Sequence, residues 1–387
     1  MSFHNTWCEI SGRALATNVE ILRRRLHPDA ALGVVVKSGA YGHGIACCVP
    51  VFLRAGVDWL IVNDVAEAAH VRSLTEDTPI YICSPVPEAL AGAAVAARAR
   101  VVVTAPEGVL SLARAGRAEG WEVPVHLKAE TGCHRLGVDM AGLLQLAELV
   151  TRTEGVRLEG VATHFADIED TTNHTYAREQ LQSLESAAQS LRDKGHTLPM
   201  VHAANSAATI LWPEAHHQLV RVGIAAYGLW PSRETYATAL QAADGTTSAF
   251  IPELRPALTW RARVSQVKSV PAGSFVGYGR TYRTTGPSRI AVLPVGYYEG
   301  LKRDVSNLAH VLINGQRAPV RGRVCMNMTM VDVTHIPDVE IGTVATLIGE
   351  DGGEEVSADL MASWAGTIHY EIVSSIQPAI PRILGDE

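Results

Sequence analysis

The stretch Val34–Gly44, "VVVKSGAYGHG", decides the fold because one lysine joins a buried-strand pattern to a glycine-rich turn. Three consecutive valines favour a strand, since β-branched side chains have little χ1 freedom and pack well on a pleated surface. The glycines that follow indicate a turn. Burying an ammonium group is costly. Lys37 therefore either reaches solvent beyond the strand or uses its amine for chemistry.

Seven further apolar runs follow, separated by segments with helical spacing such as residues 175–195, in which Gly195 is the stop signal. This alternation is typical of parallel βα units. Eight strands close a barrel of about 250 residues, although a doubly wound open sheet also fits the pattern. The eight strand patterns are LGVVV (32–36), DWLIV (58–62), PIYIC (79–83), RVVVT (100–104), PVHLK (124–128), LEGVATH (158–164), PMVHA (199–203) and LVRVG (219–223).

The pattern changes after Pro231. Residues 232–256 are rich in turn formers and predict a connector, and the rest of the chain shows short alternating strands. Asn314-Gly315 predicts a hairpin turn. We therefore predict an α/β protein with a TIM-like (β/α)8 barrel over residues 1–240 and a mostly β domain over residues 241–387. Residues 1–12 are compatible with either domain.

Composition narrows the class of protein. The 387 residues are 47% hydrophobic and 19% charged, which is ordinary for a soluble globular protein. A net charge of -7 without basic blocks argues against nucleic acid or an anionic membrane as a partner. The six cysteines form no CxxC pair, which favours a reducing compartment. With no signal-peptide pattern at the N-terminus, we expect a cytoplasmic protein.

Polar residues end five of the predicted strands, and functional residues of a parallel barrel gather at that rim. Each alone has a structural interpretation: a solvated rim charge, a hydrogen-bonding histidine, or a serine that caps a helix. Their concurrence predicts a site. The residues are Lys37, Lys128 with nearby Arg135, His164, Asn205 with Ser206, and Arg221 with Gly223.

Several chemistries lack their motifs. The chain has no GxGxxG after the first strand, no GxxxxGK[ST], no HExxH and no GxSxG, so we predict neither a nucleotide-phosphate loop nor a metal site. A lysine nucleophile beside tyrosine, histidine and arginine suits Schiff-base chemistry on a carbonyl cofactor. Backbone N–H groups near Gly223, together with Ser206, could hold a phosphate at a helix N-terminus.

These residues belong to motifs that run in order through nearly the whole chain. The chain resembles the bacterial alanine racemases, pyridoxal phosphate (PLP) enzymes with a (β/α)8 barrel and a C-terminal β domain. The resemblance implies an amino-acid substrate, a homodimer with shared active sites, and D-alanine supply for the cell wall. After VVVKSGAYGHG, the motifs are HLKAETGCHRLGV, ATHFA, HAANSAA, RVGIAAYGLWPS, VGYGRTY, LPVGYYEG, GRVCMN and TIHYEIV.

The resemblance also implies roles for single residues. Lys37 would bind the cofactor and act as one base, and Tyr278, supplied by the other subunit, would be the second. Arg221 would donate to the pyridine nitrogen, and Lys128 matches a lysine that is often carbamylated. The cofactor contacts implied are Lys37, Tyr41, Arg135, His164, Asn205, Ser206, Arg221, Gly223, Ile224 and Tyr370. The substrate contacts implied are Arg135, Met326, Tyr297 and Arg303.

The chain departs from the family pattern at eight positions, none of them a catalytic base: Ser38, Gly39, Cys133, His134, Tyr298, Glu299, Asn327 and His369. Residues at the substrate entrance set the side chain accepted, so a serine or broad-specificity racemase remains an alternative to an alanine racemase. A PLP decarboxylase would need a Cys-Glu-x-x-Asp motif where this chain has VCMNMTMVD. A non-catalytic PLP carrier would lack the second domain.

Some of these residues also have purely structural interpretations. Tyr278 and Tyr370 could be packing aromatics of the β domain. Lys128 could form an ion pair with Glu130 at the rim. Met326, with Cys325, could belong to the core.

Overall fold

The computed structural model describes residues 4–245 and 250–385. Within them the chain forms two compact units. The barrel unit contains residues 14–40, 48–245 and 250–255, and the β unit contains residues 4–13, 41–47 and 256–385. The division falls between Arg255 and Pro256, later than the predicted 240/241. The reason is that the buried side chain of Asn18 exchanges hydrogen bonds of 2.9 and 2.8 Å with the main-chain O and N–H of Arg255.

After a first strand that belongs to the β unit, β1 (Thr6–Ser11), eight parallel strands build the barrel unit. Their order is β8-β7-β6-β5-β4-β3-β2-β9. The N–H of Arg221 donates to the O of Ala204 at 2.9 Å, which joins β9 to the end of β8. The predicted barrel is therefore confirmed, and the open-sheet alternative is wrong. The strands are β2 (Ala31–Val35), β3 (Trp59–Val62), β4 (Ile80–Ile82), β5 (Ala99–Val103), β6 (Val123–Lys128), β7 (Val156–Ala162), β8 (Met200–His202) and β9 (Leu219–Val222).

Helices alternate with these strands. Helix α8 (Thr175–Asp193) buries one face at helical spacing, as its sequence pattern predicts, and this face includes Ala177, Leu181, Leu184 and Leu191. The helices are α1 (Gly12–Arg25), α2 (Lys37–Tyr41, a single turn with left-handed backbone), α3 (Ile45–Arg54), α4 (Val65–Arg72), α5 (Ala91–Ala96), α6 (Pro106–Ala118), α7 (Met140–Thr151), α8 (Thr175–Asp193), α9 (Ser206–Leu211) and α10 (Arg233–Gly245), with 3₁₀ turns at Glu88–Leu90, Pro213–Ala215 and Ile224–Tyr227.

Helix α10 lies within residues 232–256, for which the sequence predicts only a connector. Ser232 precedes the helix, and its Oγ accepts the N–H of Thr235 at 2.9 Å. The rings of Trp230 and Tyr236 pack with their centroids 4.9 Å apart. The helix is therefore capped by Ser232 and held by the packing of Tyr236 on Trp230. In the sequence, the turn formers around it make this helix hard to recognise.

The β unit is built on mainly antiparallel sheets, although β1 pairs in parallel with the strand Arg382–Gly385. Its largest sheet has the order β16-β15-β18-β10-β1-β20 with β19 paired to β18, and smaller sheets are β11-β14-β17 and β12-β13. Asn314 and Gly315, both with positive φ, join β15 to β16, so the predicted hairpin is confirmed. The elements are β10 (Leu258–Arg263), β11 (Gln266–Val270), β12 (Phe275–Val276), β13 (Tyr282–Arg283), β14 (Ser288–Leu293), β15 (His310–Ile313), β16 (Gln316–Pro319), β17 (Thr329–Asp332), β18 (Val344–Asp351), β19 (Glu354–Val356), β20 (Arg382–Gly385), α11 (Ala358–Ala365) and α12 (His369–Ser374), with 3₁₀ turns at Tyr278–Arg280 and Arg303–Val305.

Across the described ranges, none of the helices combines the length and the apolar character that crossing a bilayer requires.

Candidate active site

The turn after Lys37 has a left-handed backbone. Ser38, Gly39, Ala40 and Tyr41 have φ values of 54°, 64°, 56° and 52°. For a residue with a side chain, this conformation costs about 1–2 kcal/mol, and such strain persists only where neighbouring groups hold it. Half-buried Lys37 begins this turn, two residues after Val35 at the carboxyl end of β2.

Glu67 on α4 holds the turn. Its Oε1 accepts the main-chain N–H of Ser38, and its Oε2 accepts the N–H of Asn63 at 2.8 Å. Asp64 caps the same helix by accepting the N–H of Glu67 at 3.0 Å. Glu67 is not among the residues that the sequence predicts for the site, although an acidic residue three positions after a cap is a recognisable helix-start signal.

His164 lies among four basic side chains of the barrel unit. Burial, followed by the charges of Lys128, Arg221, Arg135 and Lys37, holds the pKa of His164 well below its usual value. Its Nδ1 lies 3.5 Å from Nη2 of Arg221. His164 is therefore neutral at pH 7, and the surrounding positive charge favours an anionic ligand.

Lys128 has an unusual environment for an amine. Burial, followed by the positive charge of Arg221, lowers its pKa to about 7. No ion pair joins Lys128 to Glu130 in the described part of the chain, so that structural interpretation is wrong. Glu130 instead accepts the N–H of Gly132 at 2.6 Å. A substantial fraction of the Lys128 amine is therefore neutral, and thus nucleophilic, near pH 7.

Ser206 links the start of α9 to the loop after β9. Its Oγ accepts the N–H groups of Gly223 at 3.0 Å and Ala225 at 3.4 Å. The cap of α9 is Asn205, which accepts the N–H of Ala208 at 3.0 Å, rather than Ser206. Ile224 begins a 3₁₀ turn, so its N–H has no acceptor within that turn. The Ser206 hydroxyl and the N–H of Ile224 are donors that suit a phosphate, and they lie beside the N–H of Gly223, which Ser206 accepts.

Arg221 is held on three sides. Its Nη1 lies 2.6 Å from Nδ1 of His202, and its Nη2 donates to the O of Thr163 at 2.9 Å and the O of Ala203 at 3.0 Å. The residue is only 8% exposed. No acceptor for its Nε is found within residues 4–245 and 250–385. That remaining donor suits an acceptor such as a pyridine nitrogen.

In the β unit, Tyr278 lies on the turn between β12 and β13. It is 71% exposed, so its interpretation as a core aromatic is wrong. Gly277 and Gly279 on either side have φ values of 75° and 71°.

The rings of Tyr41 and Tyr370 lie with their centroids 6.1 Å apart.

The segments around Tyr297 and Met326 run side by side in the β unit. The N–H of Tyr297 donates to the O of Cys325 at 3.0 Å, and the N–H of Tyr298 donates to the O of Met326 at 2.9 Å. Met326 is 56% exposed and therefore not a core residue. Gly296 allows this approach, because a Cβ there would lie 2.1 Å from the O of Cys325.

Two of the departures from the family pattern contact each other. Oε1 of Glu299 accepts from Nδ2 of Asn327 at 2.8 Å, and its Oε2 accepts the N–H of Gly296 at 2.8 Å. A third departure, His369, is buried and places Nδ1 3.0 Å from Oδ1 of Asp359.

The sequence-predicted residues thus fall into two groups. Within the barrel unit, electrostatic interactions link His164 to Lys37, Lys128, Arg135 and Arg221. Asn205, Ser206, Gly223 and Ile224 belong to the same unit, whereas Tyr41, Tyr278, Tyr297, Arg303, Met326 and Tyr370 belong to the β unit. No cluster of histidine, cysteine and carboxylate side chains suited to a metal occurs among the described residues.

Comparison with known proteins assigns the family. The models "Alanine racemase, N-terminal domain" and "Alanine racemase, C-terminal domain" match residues 10–231 and 257–384. An alanine racemase of Leptospira interrogans is 39% identical over 386 residues, covering 99% of this chain and 96% of the relative. One of Symbiobacterium thermophilum is 40% identical, covering 99% and 97%. The solved alanine racemase of Streptomyces coelicolor is 36% identical with a TM-score of 0.89, covering 99% and 98%. The chain belongs to the alanine racemase family.

Proposed function

We propose that this chain interconverts L- and D-alanine with PLP as cofactor, using Lys37 and Tyr278 as its two bases. The observation that carries the proposal is the cluster of basic side chains at the end of the barrel. There Lys37 lies with Lys128, Arg135 and Arg221 around neutral His164. A site that combines an amine with several cations suits an anionic carbonyl cofactor.

The donor set fits PLP in three respects. The hydroxyl of Ser206 and the N–H groups of Gly223 and Ile224 would hold the phosphate. Nε of Arg221 would donate to the pyridine nitrogen, and Asn205 and His164 would lie beside the ring. Tyr41, Tyr370 and Arg135 complete the proposed cofactor contacts.

When bound, PLP supplies the electron sink that makes the Cα proton of an amino acid removable. Racemisation removes this proton from one face and returns a proton on the other, so it needs a proton-transfer group on each side. Nζ of Lys37 would serve one face. Oη of Tyr278 of the partner subunit would serve the other, and its exposure on a turn supports a role outside its own chain's core.

Substrate binding would involve Arg135, Tyr297, Arg303 and the N–H of Met326. Arg135 would bind the carboxylate as a cation, and the N–H of Met326 would donate to it. Glu299 and Asn327 are paired next to Tyr297 and Met326, so they stabilise these segments of the proposed substrate entrance. A serine or broad-specificity racemase is the alternative, because the residues at this entrance depart from the family pattern.

Lys128 would carry a carbamate. Carbon dioxide reacts with a neutral amine, and the pKa of about 7 supplies one near neutrality. The product is an anion beside Arg221 and Arg135, whose charges favour it over the ammonium form. The modification would hold the guanidinium of Arg135 in place for the substrate.

The enzyme would act as a cytoplasmic homodimer and supply D-alanine for the cell wall. The dimer follows from the use of Tyr278 in the partner's site. Symmetric homodimers are the commonest oligomers of soluble proteins.

Borohydride reduction and a substrate panel test the proposal. The purified protein should contain PLP, and reduction should fix it to Lys37, as identified by peptide mass spectrometry. Chiral chromatography should show that L- and D-alanine interconvert faster than serine or larger amino acids. A protein that takes up no PLP would refute the cofactor assignment. A preference for serine would support the alternative substrate.

A further inference from the structure

Four buried side chains form a continuous hydrogen-bonded series inside the barrel. Oε2 of Glu159 in β7 lies 2.9 Å from Nε2 of His126 in β6. Nδ1 of His126 lies 2.8 Å from Nε2 of His202 in β8. Nδ1 of His202 lies 2.6 Å from Nη1 of Arg221 in β9. The proposed function uses only the last of these residues.

The donors and acceptors of this series have one consistent direction. Arginine only donates, so Nδ1 of His202 carries no proton and its Nε2 carries one. That N–H donates to Nδ1 of His126, whose own proton is therefore on Nε2. The Nε2–H of His126 then donates to Glu159, which only accepts when ionised. Starting from the carboxylate gives the same assignment, so both ends require the same tautomers.

The charges agree with this assignment. Burial lowers the pKa of His126 and, to a greater extent, that of His202, so both rings are neutral at pH 7. Burial opposes ionisation of Glu159, but His126 and two arginines outweigh it and lower the pKa of the carboxyl. Nη2 of Arg157 lies 2.9 Å from Oε1, and Nε of Arg100 lies 3.4 Å from Oε2.

We propose that Glu159 is a positioning residue for Arg221, acting through the tautomers of His126 and His202. Because Nδ1 of His202 is bare, it accepts from Nη1 while two main-chain carbonyls hold Nη2. The guanidinium therefore keeps one orientation, in which Nε is the donor left for a ligand. A proton on Nδ1 of His202 would oppose Nη1 donor to donor and turn Arg221 away. The inference rests on the proposed function only in that the ligand of Nε is PLP.

The direct test is NMR of the holoenzyme labelled with ¹⁵N-histidine. Loss of signals in His126→Asn and His202→Asn variants assigns the two rings. Both are expected to be neutral and protonated on Nε2 at pH 7. A cationic ring, or a proton on Nδ1 of either ring, would overturn the proposal. This readout does not depend on activity, so it decides the series even if the ligand is not PLP.

Matched variants test the link to the ligand. Glu159→Leu removes the acceptor, and we expect PLP affinity to fall about tenfold and the cofactor's absorption band to shift. Glu159→Gln keeps an oxygen acceptor and should restore most of the affinity. Arg157→Gln removes a contact to the same carboxylate but leaves the His126 bond intact, so its affinity should stay within about twofold of wild type. Equal losses in Glu159→Leu and Arg157→Gln would contradict the proposal, because general destabilisation would then explain both.

Discussion

The carboxylate of Glu67 accepts the main-chain N–H of Ser38 and so ties helix α4 to the left-handed turn that begins at Lys37. Three consecutive residues before Tyr41 have positive φ, and two of them, Ser38 and Ala40, are not glycine. The conformation of the turn is therefore unfavourable in isolation. One side chain, from a different βα unit, offsets part of that cost. The position of the proposed cofactor lysine therefore depends on a residue thirty positions further along the chain.

Glu67→Ala should loosen this turn. The substitution leaves the N–H groups of Ser38 and Asn63 without their acceptor, which costs about 1–3 kcal/mol where they are shielded from water. We expect a lower melting temperature and weaker PLP binding, measured by thermal unfolding and by absorbance titration. Glu67→Gln keeps one carbonyl oxygen, so its melting temperature and its PLP affinity should lie between those of wild type and Glu67→Ala. Unchanged PLP binding in Glu67→Ala would show that the turn does not need this contact.

Gly39→Ala and Gly42→Ala should differ sharply in stability. Both glycines have positive φ, at 64° and 81°. A Cβ at Gly39 meets no atom within 4 Å, so only the backbone cost of about 1–2 kcal/mol applies. A Cβ at Gly42 would lie 1.9 Å from the O of Val373, and main chain would have to move. We expect a loss above about 3 kcal/mol at Gly42 in urea unfolding, and equal losses would contradict this account.

Carbamylation of Lys128 should depend on pH in one direction. Its pKa of about 7 lies below the ordinary value of 10.5, so the amine is charged below pH 7 and neutral above it. A carbamate signal from ¹³C-bicarbonate should therefore weaken as pH falls through 7 and strengthen as pH rises. Lys128→Met should show no such signal, and it provides the control. A signal that persists in Lys128→Met would assign the modification elsewhere.

The same lowered pKa affects stability. Between pH 7 and 10.5 the unfolded chain binds more protons at Lys128 than the folded chain, so its contribution to stability rises with pH in that window. In buffers free of carbon dioxide, Lys128→Met should remove this dependence. The free energy of unfolding of wild type should therefore increase relative to that of Lys128→Met as pH increases from 7 towards 10.5.

Tyr278→Phe should abolish racemisation while leaving PLP binding intact. If the partner subunit supplies this tyrosine, mixing Tyr278→Phe with Lys37→Ala protomers restores one complete site in each mixed dimer. Equal mixing should then recover about a quarter of the wild-type activity. Each variant alone is the control. Recovery of no activity, with subunit exchange verified by mass spectrometry, would argue that both bases come from one chain.

Asn327→Asp should disturb the proposed substrate entrance. It would place a second carboxylate beside Glu299, where Asn327 now donates at 2.8 Å. The repulsion between exposed like charges is expected to cost about 1 kcal/mol and to raise KM more than it lowers kcat. Adding Glu299→Gln restores a donor and an acceptor and should reverse the effect. A double variant no better than Asn327→Asp would show that the pair is not coupled.

Much of the fold follows from local patterns. All eight barrel strands lie where short apolar runs occur, and the Asn314-Gly315 hairpin lies where its turn chemistry predicts it. These features depend on neighbouring residues, whose spacing is visible in the chain. Helix α10 was missed because its flanking turn formers masked a capped helix.

The residues of the candidate site also divide into those that local patterns predict and those that they do not. Lys37, Lys128 and Arg221 could be predicted, because each stands in or at the end of a strand in a family motif. His126, Glu159 and His202 could not, and Glu67 is recognisable in the sequence only as part of a helix start, not as the acceptor that holds the turn after Lys37. The histidines occupy ordinary strand positions in PVHLK and PMVHA, and nothing in those runs indicates which side chains they meet.

The sequence by itself determined the order of strands and helices, the lysine at the end of β2 and the membership of a family. Only the tertiary structure decided the neutral state of His164, the pKa of about 7 at Lys128 and the hydrogen-bonded series from Glu159 to Arg221. The physical reason is that these properties arise from burial and from charges on different strands. Closure of the barrel brings those strands together. Because they are far apart along the chain, the sequence does not show which of their side chains meet.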